Sequence, residues 1–421
     1  MKKREINIKN ILVNLIILLL ILILFSGSNI FSNYQKYYFI LLLAILFVLR
    51  LKNKLYINRL SFILLFQLIL LLLTITYSIN PSESLNFVFI FGICVFFAII
   101  GFKKVDAFKI LDCIENYAFF FSIIIIISLL KHDLIVTNLS FLFPNNNAML
   151  VTLNEINYNI FSGLALERAY SAFCINIGII SVLSRLNKKH SVTKFDILKL
   201  IIFVIALFSC GKRTLLVIPL LVFIFLLFVN DYKKFALNIL KYTVLALCLV
   251  IVLKTFIPTV DTLLQRFSYN VGDKSYNGRT EYWKYCKEMF NNSPLFGNGI
   301  NTYKSYLKSN SELKVYHAHN IYFQLLGELG IIGFLLTIFF FTSCLFSIIL
   351  FYKKNKKGLS SKEIYALNFS MGIQLLFLLY GMTGNTFYYY EQLLTYFFSI
   401  AIFNSIEYEV KYEKNSNNYI S

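Results

Sequence analysis

Residues 329–352 read L-G-I-I-G-F-L-L-T-I-F-F-F-T-S-C-L-F-S-I-I-L-F-Y, without one charged side chain. A helix of roughly 20 apolar residues crosses the hydrocarbon of a bilayer. Lipid offers no partner to a bare peptide group, so such a run must bond its own backbone, as a helix does. Charge-free runs recur over 10–35, 60–81, 215–230 and 364–390. Across all 421 residues, 58% are hydrophobic and 14% charged, with a mean hydropathy of +0.69. A soluble domain carries about 25% charged residues. The expected fold class is therefore an all-α polytopic membrane protein.

About twelve transmembrane helices are predicted, near 11–31, 37–51, 60–78, 85–102, 116–131, 169–184, 196–210, 213–230, 236–256, 329–352, 364–381 and 387–406. The first run is too long for a signal-peptide core and has no small-residue cleavage site, so it reads as a retained span. The chain reads as one membrane domain over 1–421, with outer loops at 131–168 and 257–328, the larger one just before the tenth span.

Positive charge orients these spans. Segments on one side hold 26 of the 40 basic residues, and nine of the other 14 lie within 254–314. Short loops rich in Lys and Arg stay cytoplasmic. Both termini are then inside, and 257–328 faces out. Topology and contact with anionic membrane lipids account for the net charge of +19, with no nucleic-acid partner. The seven cysteines include no C-x-x-C pair and imply no disulfide framework. There is no glycine-rich phosphate loop and no nucleotide-binding domain. No cofactor and no metal are expected.

Against this oily background, 277–334 is polar. It contains N-G-R-T-E-Y-W (277–283), S-P-L-F-G-N-G (293–299), H-A-H-N (317–320) and G-E-L-G-I-I-G (327–333). Arg279 and Trp283 share a face if the segment is helical. They form either a functional pair or an interfacial helix with Trp283 at headgroup depth. Arg213 follows S-C-G-K (209–212) and either serves function or snorkels to the outer interface. Two guanidinium forks could grip a pyrophosphate bidentately. His317 and His319 are the sharpest candidates. Histidine titrates near neutrality and can take a proton from an attacking hydroxyl. H-x-H alone is a weak metal signal. A helix starting here would place Asn320, Gln324 and Glu328 in one polar stripe beside His319.

His319-Asn320, nine residues, then Gly330-x-x-Gly333 resembles the histidine-glycine signature of bacterial O-antigen ligases. The wider pattern is similar to the membrane domain shared by O-antigen ligases and Wzy-type O-antigen polymerases, most specifically over about 279–333 and within 277–352. Upstream, S-I-N-P-S-E-S-L (78–85) resembles that family's S-x-x-P-S-x-S-L turn. Arg168-x-x-Ser171-x-Phe173 resembles an R-x-x-G-x-F element with Ser171 in place of glycine, and G-K-R (211–213) a G-S-R segment with Lys212 in place of serine.

The resemblance implies a metal-independent inverting glycosyltransferase of the lipid-linked-donor type, similar in architecture to the GT-C enzymes, in the inner (plasma) membrane. Its donor would be an undecaprenyl-pyrophosphate-linked glycan on the outer face, and its acceptor a glycan or glycolipid. A chain-length regulator or flippase would be a partner. Arg213 and Arg279 match the family's phosphate-binding arginines, and His319 its proposed base. His317, Arg168, Asn320, Glu328 and Trp283 are supporting candidates. A polymerase would join the glycan to another lipid-linked repeat unit. A ligase would pass it to lipid A core or to protein. The modest outer loop leans towards polymerase. A flippase or other transporter also suits twelve spans, but the chain shows no internal repeat of the kind common in transporters.

Overall fold

The computed structural model describes residues 2–28, 30, 32–52, 57–100, 102–143, 147–185, 193–230 and 274–418. Every described element is helical. The helices are α1 (Lys2–Gly27), α2 (Gln35–Lys52), α3 (Arg59–Thr74), α4 (Pro81–Ile99), α5 (Lys104–Leu130), α6 (Leu134–Asn138), α7 (Asn147–Tyr158), α8 (Arg168–Arg185), α9 (Lys194–Cys210), α10 (Arg213–Asn230), α11 (Lys274–Asn292), α12 (Tyr303–Asn310), α13 (Ile321–Asn355), α14 (Ser361–Gly381) and α15 (Tyr390–Asn418).

Among the described residues, eight helical segments are long and apolar enough to cross a membrane: Asn10–Gly27, Ser32–Leu49, Arg59–Tyr77, Pro81–Ile99, Lys104–Leu130, Arg213–Asn230, Ile321–Asn355 and Ser361–Gly381. The protein is a polytopic helical membrane protein. The expected spans at 169–184, 196–210 and 387–406 fall on α8, α9 and α15, which are outside that set of eight. At 17 residues, α9 is shorter than a typical span. The expected span at 236–256 lies outside the described residues.

The chain divides into two compact units. The first comprises Met1–Ile45, Val105–Tyr269 and Lys356–Leu376. In it α8 packs on α9 and α10. Asn176 ties α8 to α10 by donating from Nδ2 to the Leu215 carbonyl at 3.0 Å. Arg185 and Lys199, which the sequence assigns to cytoplasmic loop charge, are drawn into a buried network around Glu115. Lys199 Nζ donates to Glu115 Oε1 at 2.6 Å, and Arg185 Nη1 donates to Glu115 Oε1 at 3.0 Å and to Asp196 Oδ1 at 2.9 Å. The Tyr365 hydroxyl accepts from Arg185 at 3.0 Å. Removing one member of a buried ion pair costs about 3–5 kcal/mol, because its partner is stranded.

The second unit comprises Leu46–Lys104, Asn270–Asn355 and Phe377–Ser421. Its core is aromatic: Phe87, Phe91, Phe340, Phe341, Phe387, Tyr396 and Phe397 are all buried. Ring centroids lie 5.1 Å apart for Phe91 and Phe397 and 5.6 Å for Phe341 and Tyr396, within the range of favourable edge-to-face contact. Asn58 caps α3, its Oδ1 accepting the Ser61 N–H at 2.8 Å. The same side chain donates from Nδ2 to Asn404 Oδ1 at 2.9 Å and to Glu407 Oε2 at 2.6 Å on α15. Asn80 caps α4, and Pro81 takes its first helical position, where the missing N–H costs nothing.

Candidate active site

The polar segment folds within the second unit as two helices, α11 and α12, joined by the P-L-F-G-N-G loop. Glycine at 330 decides how they meet the membrane helix. Its φ of +62° and ψ of −173° break α13 after Leu329. The backbone groups freed by the break are taken up by the loop. Ile331 N–H donates to Pro294 O at 2.8 Å, and the Glu328 carbonyl accepts from Asn298 N–H at 2.8 Å and Gly299 N–H at 2.9 Å. A Cβ at Gly330 would lie 2.5 Å from the Leu295 carbonyl, so the close approach needs glycine twice over. Opening a helix at membrane depth is tolerated only where protein satisfies the backbone in this way.

The S-I-N-P-S-E-S-L turn docks on the same loop. Ile79 N–H donates to Asn298 O at 3.0 Å, Ser84 Oγ to Ile300 O at 2.5 Å, and Asn80 Nδ2 to Ser305 Oγ at 2.8 Å. These motifs are over 200 residues apart in sequence, yet they build one platform.

Above the platform, α11 leans on the H-A-H segment. Trp283 donates its indole N–H to Ala318 O at 2.9 Å, and its ring lies 5.2 Å from that of Phe323. That bond ties Trp283 directly to the segment between the two histidines. Arg279 stands one turn before Trp283 on the same face of α11 and is half-buried. Tyr303, Cys286, Met289, Leu307 and Ala318 form the small apolar core between these pieces.

Glu328 is the hub beneath. It is fully buried and accepts four hydrogen bonds: from Asn301 N–H (2.7 Å), Tyr303 N–H (3.0 Å), Gln324 Nε2 (2.9 Å) and the Tyr388 hydroxyl (2.9 Å). The predicted stripe forms only in part. Gln324 and Glu328 bond side chain to side chain, whereas Asn320 turns back to cap α13, accepting Tyr322 N–H at 3.0 Å and Phe323 N–H at 3.2 Å. Asn320 is therefore a helix cap, which fixes where H-A-H ends.

His317 is buried, with its ring stacked on Tyr388 at 5.0 Å. Burial, aided by the positive charge of Lys304, holds its imidazole well below its ordinary pKa. His319 is half-buried and sits at φ +54°, a left-handed conformation that costs a non-glycine residue roughly 1–2 kcal/mol. Such strain persists where surrounding bonds over-determine it. Here the bond is Asn385, whose Oδ1 accepts the His319 N–H at 2.9 Å and whose Nδ2 lies 3.4 Å from His319 Nδ1.

Asn385 and Tyr388 escaped sequence reasoning. They lie in G-M-T-G-N-T-F-Y-Y (381–389), a turn between apolar segments whose polar residues and glycines were the available signal. Arg213 and Arg168 belong to the first unit. Arg213 opens α10 two residues after Gly211, the left-handed cap of α9, and is exposed. Arg168 opens α8 and is half-buried. Among the described residues, no cluster of three or more His, Cys, Asp or Glu side chains is arranged to hold a metal ion.

The H-N…G-x-x-G signature thus contains a left-handed histidine, held by Asn385, and the glycine that breaks α13. Residues 198–338 match the O-antigen ligase family. The match takes in Arg213, Arg279, Trp283, both histidines, Glu328 and the Gly330 break, and leaves Arg168 outside. No curated protein matches the chain. Over this segment the protein is similar to the O-antigen ligases, and it carries that segment on a polytopic helical membrane frame.

Proposed function

We propose that the protein is an inverting membrane glycosyltransferase. It moves an undecaprenyl-pyrophosphate-linked glycan onto an acceptor sugar hydroxyl at the outer face of the inner membrane, as the polymerase of a surface-polysaccharide repeat unit. The observation that carries this reading is His319: strained, clamped, half-exposed, and one helix contact away from the Arg279 face of α11, all inside the family match.

The acceptor oxygen forms the new bond to the anomeric carbon. The bond from that carbon to the phosphate oxygen breaks, and its electron pair leaves with the pyrophosphate. Arg279 binds that leaving group, since a guanidinium fork matches phosphate oxygens without needing a metal, and the family resemblance gives Arg213 the same role. The hydroxyl proton passes to water, and the His319 ring contacts the reacting groups. Trp283, Gln324, Glu328 and Asn320 fix the segment that carries it. The alternative is a ligase that passes the glycan to lipid A core or to protein, a reading suggested by the family's description as O-antigen ligase.

The test is transfer by the purified chain in liposomes from a defined lipid-pyrophosphate repeat unit. Longer lipid-linked glycans are expected from the wild type. His319→Ala should lose about 10²–10³-fold in rate, typical for removing one fixed donor to developing negative charge. Product only when lipid A core is added would replace polymerase by ligase. No glycan product with either acceptor, or full activity in His319→Ala, would reject the reading.

A further inference from the structure

Two carboxamides hold the H-A-H segment in the same manner. Gln324 Oε1 accepts the Ala318 N–H at 3.2 Å, and its Nε2 lies 2.9 Å from Glu328 Oε1 and 3.2 Å from His317 Nδ1. Asn385 Oδ1 accepts the His319 N–H, and its Nδ2 faces His319 Nδ1. A backbone N–H only donates and a carboxamide oxygen only accepts, so each backbone bond fixes which end of the amide is oxygen. Turning either amide would set NH2 against N–H. The group opposite each Nδ1 is therefore NH2, which only donates. Each Nδ1 must offer a lone pair, and each neutral ring keeps its one proton on Nε2.

We infer that His319 serves as an Nε2–H hydrogen-bond donor to an anionic phosphate oxygen, set in that tautomer by Asn385, and not as a general base. The tautomer follows from the hydrogen bonds alone. The phosphate oxygen as its target rests on the glycosyl-transfer reading. In this form the ring has no lone pair at Nε2 with which to accept a proton, and its Nδ1 lone pair is covered by the amide. A fixed N–H aimed at developing negative charge is what a departing pyrophosphate gains from most. The acceptor oxygen bonds the anomeric carbon, the electron pair of the broken carbon–oxygen bond leaves with the pyrophosphate, and the hydroxyl proton passes to water. His319 keeps its proton throughout. Asn385 is a positioning residue: it acts through His319.

Two measurements on the full chain in liposomes test this. The protein has four histidines, so ¹⁵N-labelled histidine gives four ring pairs, and His319→Gln removes and thereby assigns one. Well above the ordinary imidazole pKa, Nε2 of His319 should be protonated and Nδ1 bare. The reverse pattern overturns the inference.

The second measurement uses Asn385→Asp. The carboxylate still accepts the His319 N–H, but it draws a proton onto Nδ1. The titratable groups around H-A-H include Lys304, Glu328, Tyr388 and Tyr389, and these are unchanged by the substitution. Wild-type transfer should persist from about pH 7 to about pH 9, because the neutral ring still donates. Asn385→Asp should lose turnover as pH rises, because its neutral ring is bare at Nε2 and only its imidazolium donates. Activity of this variant that rises with pH would indicate a base, and a uniform loss at every pH would indicate mere structure. Either result overturns the proposal. A wild type that transfers nothing rejects the glycosyl-transfer reading instead, while the ring spectrum still decides the tautomer.

Discussion

Glu328→Gln is the most exacting perturbation of the site, because it changes one atom. The new NH2 must replace one of two oxygens, each of which accepts two donors. In place of Oε1 it would face Tyr303 N–H and the Gln324 amide, and neither can turn away, since Gln324 is pinned by Ala318 N–H. In place of Oε2 it faces Asn301 N–H and the Tyr388 hydroxyl. A hydroxyl can rotate to accept, whereas a backbone N–H cannot, so the second arrangement wins. One buried N–H is then stranded, at about 1–3 kcal/mol, and the remaining bonds to a neutral oxygen weaken by about 1 kcal/mol more. The expected loss of stability is roughly 2–4 kcal/mol. Trp283 is the only tryptophan in the chain, and its indole bonds to Ala318 in the same assembly, so its fluorescence during detergent-induced unfolding reports on this region. Tyr388→Phe should cost about 1 kcal/mol alone, and combined with Glu328→Gln it should show a coupling of at least about 0.5 kcal/mol. A Glu328→Gln variant within about 0.5 kcal/mol of wild type, or strict additivity with Tyr388→Phe, would refute the four-donor account.

Arg279→Lys and Arg213→Lys keep charge but lose the bidentate fork, and each should slow transfer about tenfold to a hundredfold, from roughly 1.5–3 kcal/mol per charge-assisted contact. Wild-type rates in both, at matched expression, would remove phosphate binding from these arginines. His317 is held neutral by burial, so below its ordinary pKa of 6.5 the unfolded chain binds a proton that the folded chain refuses. Stability should therefore fall as pH drops below about 6.5 and level off above it, and His317→Gln should flatten that slope in acid unfolding titrations. For orientation, an impermeant thiol reagent should label cysteines placed in 131–168 or 257–328 from outside, and Lys356→Cys only after the membrane is opened.

Much of this was legible in the sequence because lipid enforces simple rules. Long charge-free runs such as 329–352 must be helical, and R-T-x-x-W, H-A-H-N and the paired glycines marked the polar site. What was not legible depends on partners far away in the chain. Nothing near His319 announces a left-handed backbone, because the bond that holds it comes from Asn385, 66 residues on. Gly330 falls inside the expected span 329–352, yet the helix breaks there because Pro294 and Leu295 accept the N–H groups of Ile331 and Ile332. Asn320 was read into a functional stripe, but its side chain satisfies the free N–H groups of its own helix. The expectation of His319 as a base came from residue type and family resemblance. A protonation state is set by what faces each ring nitrogen, and no sequence motif near the histidine carried that.

The cap of α3 has a consequence for how the protein is made. Asn58 is completed by Asn404 and Glu407, residues 346 and 349 positions later. Ribosomes add about 5–20 residues each second, so roughly 20–70 s separate the appearance of the two ends. During that interval the entry to α3 lacks its partners from α15, although the helix itself already lies in the bilayer. The nascent chain must therefore remain associated and unfinished until its last helix arrives. A ribosome stalled before residue 404 would leave α3 inserted with this latch open.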